Sequence, residues 1–400
     1  MLLKIILFII ILIIVINLYI RYKFKFWRHQ PVFHLYDLHH WIFNDKIINN
    51  SPPTINKFIN LLNIKTKQYK DLDKEEITNI TNFIKTNYLQ KKNITYSPNI
   101  SDIASYIDTK TFPSYISTYT IPKLLNITKS FPIDSEKKTE IIPHSKIKGV
   151  ITSKPLHITF NQKPFIIYYV DNLCVHSNNR KQGIAPELIQ THYYHLQKYN
   201  NVKVCLFKRE GDLTAIVPLT VYTTYGYNIS QIPTLHFNRN NINIIQLKKH
   251  NIQILIKFLK NMKTKFKCII ELGLESLLSL ISSDKLIFYA IIQNNILYSL
   301  YVFRNTPIYI HRKKTSECIL TLNNCPFKDM FVKGFSQAIH KFAHDYSISN
   351  IYLETTSHSN IIYDFLQNLN IKPISLSPTA FFLYNYAKLS TKPQDCFILY

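Results

Sequence analysis

The stretch from Phe165 to Lys208 limits the possible folds of this chain more than any other. A β-rich run, Phe165–His176, gives way to a polar loop, Ser177–Gly183. A helical run from about Ile184 to Tyr199 follows, then a second β-rich run, Val202–Lys208. A hydrophobic period that changes from 2 to 3.6 and back marks a strand, a helix and a strand. The second half repeats the style without repeating the sequence. It has β-rich runs at Leu286–Ile292, Ile296–Arg304 and Glu317–Leu322, and a helical run at Lys328–Tyr346. A strand at Asn350–Glu354, a helix at Ile361–Leu369 and a strand at Ala380–Lys388 complete it. Strands alternating with helices in both halves predict a mixed α/β protein of two similar lobes. With 400 residues, 46% of them apolar, the chain can bury a sizeable core, which excludes intrinsic disorder and a small disulfide scaffold.

Before the first lobe, residues 1–20 read MLLKIILFIIILIIVINLYI, with Lys4 as the single charge. Twenty helical residues reach about 30 Å, the thickness of a bilayer's hydrocarbon core. No small-residue cleavage site follows, so a retained anchor is expected rather than a signal peptide. Arg21, Lys23, Lys25 and Arg28 stand on its far side, and positive-inside bias then places the C-terminal body in the cytoplasm. Residues 21–55 read as an extended aromatic and basic arm closed by Ser51-Pro52-Pro53. Helical patterns are predicted at Ile55–Ile64 and Glu75–Tyr88, the second capped by Asp73. The proline-dotted stretch 96–145 is expected to be loop-rich. Strands are expected at Lys148–Lys154 and Leu156–Phe160, and a basic helix at Leu247–Lys265.

The net charge of +24, from 48 basic and 24 acidic residues, would suit nucleic acid or anionic lipid. The same chain is crowded with Ile, Asn, Lys and Tyr and has only six glycines, a bias that nucleotide composition alone can produce, so no nucleic-acid partner is inferred. The cysteines Cys174, Cys205, Cys268, Cys318, Cys325 and Cys396 show neither a C-x-x-C pair nor zinc-like spacing. His192 with His195, and His340 with His344, share helix faces but lack an H-E-x-x-H context, so no metal site is expected.

Arg180-Lys181-Gln182-Gly183-Ile184-Ala185 sits between the strand and the helix of the first unit. It matches R-x-x-G-x-A, the acyl-CoA pyrophosphate loop of the GNAT acyltransferases. Glycine permits the tight turn, the helix N-terminus offers unpaired N–H donors, and Arg180 adds charge. The longer segment Tyr169–Ile189, with Leu173-Cys174-Val175-His176 and Ala185-Pro186, resembles the signature of the N-myristoyltransferase family. Three more pieces resemble that family in order: Phe24-Lys25-Phe26-Trp27-Arg28-His29-Gln30-Pro31-Val32, Lys146–Ile151 with Pro155 and Ile158, and Phe381–Tyr386. The resemblance spans residues 24–400.

The resemblance implies two GNAT-like lobes in an N-myristoyltransferase-type fold. The expected divisions are a 1–20 anchor, a 21–55 arm, a 56–225 acyl-CoA lobe and a 226–400 peptide lobe. It implies transfer of a myristoyl group from myristoyl-CoA to the N-terminal glycine amine of acceptor proteins, with no resident cofactor and by a monomer. Phe24, Lys25, Phe26 and Trp27 would wrap the CoA, and Leu173, Cys174 and Val175 would line its path. Arg180 and Lys181 to Pro186 (Lys181, Gln182, Gly183, Ile184, Ala185, Pro186) would hold the pyrophosphate. Backbone N–H groups of Asn172 and Leu173, at a bulge, would polarise the thioester carbonyl. The α-carboxylate of Tyr400 would be the base, its basicity raised by burial. The acceptor would meet Asp171 and Glu354. Asp171, Asn172 and Lys208 stand where the family has other residues. A GNAT enzyme with another acyl donor or amine, and a catalytically degenerate membrane scaffold, are the alternative readings.

Overall fold

The computed structural model describes residues 2–90, 93–129, 138–211, 215–237, 242–294 and 296–400. Among the described residues fifteen strands form one sheet, and helices cover it. In the first half, strand Lys138–Phe160 turns through Asn161 and Gln162 into strand Lys163–Val175. Helix Ile184–Asn200 then leads to strand Cys205–Glu210, which lies parallel to Lys163–Val175. The second half does the same. Strand Ile296–Ile310 turns through His311 and Arg312 into Lys313–Asn323. Helix Lys328–Tyr346 then leads to the parallel strand Asn350–Glu354. Both hairpin turns have positive φ at both residues, 47° and 65° in the first and 48° and 64° in the second. That is the type I′ geometry, whose twist suits paired antiparallel strands. The mixed α/β alternation expected from the sequence is present, with one hairpin–helix–strand unit in each half.

The halves are not separate sheets. Strand Ser375–Tyr384 pairs with Cys205–Glu210 on one side and Thr220–Asn228 on the other. Strand Cys268–Glu271 sits between Cys396–Leu399 and Lys138–Phe160. The largest core cluster accordingly mixes Leu156, Ile158 and Leu206 with Phe288, Val302 and Phe397. A second cluster lies under helix Lys328–Tyr346, through Phe331, Phe335 and Phe342.

Local chemistry explains where the sequence expectations hold and where they fail. Helix Lys74–Asn87 forms as expected: the Asp73 carboxylate accepts the Glu76 N–H at 2.7 Å, closing a capping box. The helix expected at Ile55–Ile64 does not form. There Asn56 accepts the Phe58 N–H at 2.9 Å and Asn60 accepts the Asn63 N–H at 3.0 Å. These side-chain turns compete with helical pairing, and Ile64–Gln68 becomes a strand. The stretch 96–145 is not loop-rich: it contains helix Ile100–Ile107 and strands Tyr115–Lys129 and Lys138–Phe160, although residues 130–137 lie outside the described set. The basic helix is shorter than expected, Ile252–Lys263, because Asn243–Leu247 joins the sheet as a strand. All six cysteines are free.

Helix Leu2–Lys23 opens the chain, and the arm continues it, Phe24 donating to the Ile20 carbonyl at 3.0 Å, rather than starting extended. Among the described residues no helix is long and apolar enough to cross a membrane, so the fold does not support the transmembrane span expected over residues 1–20. The apolar run behind that expectation includes positions outside the described residues: Met1 and the side chains at 2, 3, 5, 6, 9 and 10.

Candidate active site

The site begins at a defect in pairing. Strand Lys138–Phe160 matches Val150 to Cys174 and Thr152 to Asp171, so Asn172 and Leu173 together oppose Ile151. This is the bulge expected at that pair. Asn172 has φ 51°, a left-handed conformation that Asn tolerates better than most residues. Its side chain donates to Thr152 Oγ1 at 3.1 Å, and that hydroxyl donates to the Asp171 carbonyl at 3.1 Å. The Asn172 N–H donates to Asp171 Oδ1 at 2.7 Å, and the Tyr88 hydroxyl donates to the same oxygen at 3.2 Å.

Next to the bulge the sheet opens. Lys163–Val175 pairs with Cys205–Glu210 only from Tyr168 with Cys205 to Val170 with Phe207. Beyond that point Lys208, Arg209 and Glu210 pair only with the strand on their other side. A cavity of about 540 Å³ fills the gap. Asp171, Asn172 and Leu173 line it, as do Lys208 and Tyr400. One wall is apolar, with Val170, Ile189, Leu196 and Phe207, and can take an acyl chain. His192 stands in that wall with its ring nitrogens 2.7 Å from Ser117 Oγ and 2.8 Å from Ser153 Oγ. Burial pushes its pKa down to about 3, so it is neutral. Neither nitrogen is left for a metal.

Just past the bulge, where strand Lys163–Val175 ends, comes the loop. Lys181 has φ 64° and Gly183 φ 85°, and helix Ile184–Asn200 starts immediately after. Lys181, Gln182 and Gly183 are exposed, with the first-turn N–H groups of the helix behind them. Arg180 reaches back instead, donating to the carbonyls of Val175 and Asn87, each at 3.3 Å. Gly149 seats the helix on the strand: a Cβ there would come within 2.6 Å of Leu188 Cδ1.

Strand Cys396–Leu399 carries Tyr400 to the cavity, where only 3% of it is exposed. Its ring packs edge-on against Tyr169 at 5.1 Å. Arg304 lies 4.1 Å from the Tyr400 ring centroid and donates to the Tyr400 main-chain oxygen at 2.5 Å and to Glu317 at 3.0 Å. Glu354 does not line the cavity. It is 1% exposed and accepts from Lys208 at 2.8 Å, Tyr222 at 2.8 Å and the Tyr400 hydroxyl at 3.4 Å. Burial alone would lower the Lys208 pKa, but Glu354 and other anions outweigh it, and the net direction is up.

Of the arm, Trp27 lines the cavity, stacked on Phe207 at 5.5 Å. Phe26 packs on Phe58 at 5.2 Å. Phe24 and Lys25 lie away from the cavity lining. Cys174 is buried behind the bulge, where burial pushes its thiol pKa up to about 12. Away from the cavity, Asp37, His39 and His40 bring possible ligand atoms within 4.8 Å of one another. Sequence reasoning missed Lys154 and Arg304. Arg304 is the single charged residue of the apolar strand Ile296–Ile310, whereas Lys154 shares its strand with Lys138, Glu140, Lys146 and Lys148, which hide it.

No family model matches the sequence, and no curated protein matches it. Among solved structures, Saccharomyces cerevisiae N-myristoyltransferase with bound myristoyl-CoA matches at 14% identity and a TM-score of 0.67, over 92% of this chain and 94% of that one. A second structure of that enzyme with myristoyl-CoA matches at 13% identity and a TM-score of 0.70, over 93% and 90%. A third, with myristoyl-CoA and inhibitors, has 14% identity and a TM-score of 0.68. Bulge, splayed strands, loop and closing Tyr400 thus stand on a fold similar to that of Saccharomyces cerevisiae N-myristoyltransferase.

Proposed function

We propose that this chain is an acyl-CoA N-acyltransferase that moves a myristoyl group from myristoyl-CoA to the N-terminal glycine amine of acceptor proteins. One observation supports this most: the Asn172–Leu173 bulge lines the cavity that also holds Tyr400, on the strand that runs into the loop and N-terminus of helix Ile184–Asn200. The pyrophosphate takes the N–H groups from Lys181 to Ala185, with Lys181 supplying charge and Pro186, which has no N–H, packing beside them. Trp27 covers the thioester end. The acyl chain lies along Val170, Ile189 and Leu196.

The carbonyl oxygen faces the bulge amides, which suit a developing oxyanion because main-chain donors are preorganised. Asp171 holds the Asn172 N–H at 2.7 Å. An acceptor ammonium that draws this carboxylate outward releases the amide to the thioester. The Tyr400 oxygen, fixed by Arg304, orients the amine for attack. Glu354 acts behind it, keeping Lys208 and the Tyr400 hydroxyl in place.

The helix at the N-terminus is proposed to hold the protein at a lipid surface. Its exposed apolar side chains support this, among them Leu7 at 57%, Phe8 at 66% and Leu18 at 62%. Calorimetry with myristoyl-CoA and acetyl-CoA, followed by turnover with a glycine-terminated peptide, tests the function. Myristoyl-CoA is expected to bind at least about tenfold more tightly, a difference of roughly 1.4 kcal/mol. Equal binding of acetyl-CoA would remove the lipid donor from the proposal.

A further inference from the structure

Beyond Trp27 the arm turns several large apolar side chains toward water. Helix Leu38–Ile42 exposes Leu38 at 74% and Ile42 at 72%, and Trp41 is exposed beside them. Spacings of three and four put these residues on one helix face. Exposed Leu35 joins them through its carbonyl, which accepts from Trp41 Nε1 at 3.1 Å, and exposed Phe43 follows the helix. Five large apolar side chains are thus exposed within the nine residues from Leu35 to Phe43. The segment is tied to the body at both ends. The Leu35 N–H donates to the Ala215 carbonyl at 3.0 Å, and the Asp45 N–H donates to the Ala387 carbonyl at 2.7 Å. Between them Trp41 packs edge-on against buried Phe33, ring centroids 5.2 Å apart. The face is displayed on a fixed base rather than on a loose tail.

The charges around it point to what covers it. The first 36 residues contain Lys4, Arg21, Lys23, Lys25 and Arg28 and no acidic residue. Lys23, Lys25 and Arg28 are exposed. Arg28 lines one small cleft with His34 and Tyr36, and with Ile20 and Phe24 at the end of helix Leu2–Lys23, so this basic stretch lies beside the apolar segment. At the segment's other end Lys46 reaches over the Phe43 ring, 5.6 Å from its centroid. Of the two acids there, Asp45 is bound to Lys388 at 2.7 Å and Asp37 lies against His40 at 3.6 Å. Apolar side chains with a tryptophan among them and cations at the rim match the boundary layer of an anionic bilayer. Acyl chains take the apolar groups, the indole sits at headgroup level, and lysine and arginine meet the phosphates.

We propose that the Leu35–Phe43 face inserts into the surface of an anionic lipid bilayer. It shares its partner with the lipid-surface role given to helix Leu2–Lys23 but rests on other residues, and it is independent of acyl transfer. A five-residue helix is too small to hold the protein alone, because stable attachment takes two signals. The long helix supplies the hold, and the arm face fixes how the body sits on the lipid.

The test uses the full chain on vesicles of phosphatidylcholine and phosphatidylserine. The chain has two tryptophans, so Trp27→Phe leaves Trp41 as its one indole. With bromine-labelled phosphatidylcholine in the vesicles, Trp41 emission is expected to shift to the blue and to be quenched. Leu38→Asp combined with Ile42→Asp should remove the quenching and weaken partitioning by about tenfold or more, the loss expected when two apolar side chains leave lipid. An unchanged thermal unfolding midpoint verifies that this variant is folded. A full chain that floats with Trp41 unquenched would overturn the inserted face and leave the helix's role standing. Quenching that survives the double substitution would overturn it as well. A full chain that does not float would remove both roles.

Discussion

Asn172 and Lys154 illustrate two kinds of residue-level cost borne beside one cavity. Asn172 holds a left-handed backbone that few side chains accept without strain. Lys154 keeps an amine out of water. The second cost depends on pH in a definite direction. The folded pKa of Lys154 is about 7, below the ordinary lysine value, so the unfolded chain binds more protons in the interval between them. Stability therefore rises with pH across that interval, and the penalty is fully present below the folded value. Lys154→Met removes it. Urea unfolding at pH 7 should find that variant more stable by roughly 2–4 kcal/mol, the order that a shift of this size implies. The gap should narrow toward pH 10. A variant less stable than wild type at pH 7 would show that the lysine is a packing residue.

At the scale of elements, the loop and helix after the bulge make a sharp case. Gly183 has φ 85°, and a Cβ there would meet nothing within 4 Å. Gly183→Val is therefore strained by its backbone alone, at about 1–2 kcal/mol. The expected readout is weaker binding of both CoA and myristoyl-CoA by about tenfold, with the Lys154 titration unmoved; equal loss for a ligand lacking the pyrophosphate would point to general unfolding instead. This loop was legible before the fold was known, because its glycine and polar run stand between two clear periodicities. Helix Lys328–Tyr346 and strand Asn350–Glu354 match their sequence readings residue for residue, since strong amphipathic runs fix their own limits. The hairpin Tyr115–Lys129 with Lys138–Phe160 was hidden by prolines, and Pro122 and Pro143 pair opposite Ser145 and Leu124 within that ladder. Asn56 and Asn60 undid a plausible helix through contacts that composition does not reveal. The bulge was reached by resemblance, because one extra residue in a strand leaves no periodic trace. The Lys208–Glu354 pair joins residues 146 apart in sequence, which no local pattern could indicate.

The first 42 residues of the molecule expose many apolar side chains. Beside the exposed side chains of helix Leu2–Lys23, the arm shows Leu38 at 74% exposed and Ile42 at 72%. In vesicle flotation the full chain should rise with phosphatidylcholine–phosphatidylserine liposomes, and a chain lacking residues 2–23 should stay at the bottom while binding myristoyl-CoA unchanged. Equal flotation of both would remove the helix from that role.

Interleaving the two halves has a consequence for synthesis. When a ribosome has delivered Cys205–Glu210 and Thr220–Asn228, their shared neighbour, Ser375–Tyr384, has yet to be translated. For some 150 codons the nascent chain carries two unfilled strand edges, the kind of surface that recruits chaperones or a stray copy of itself.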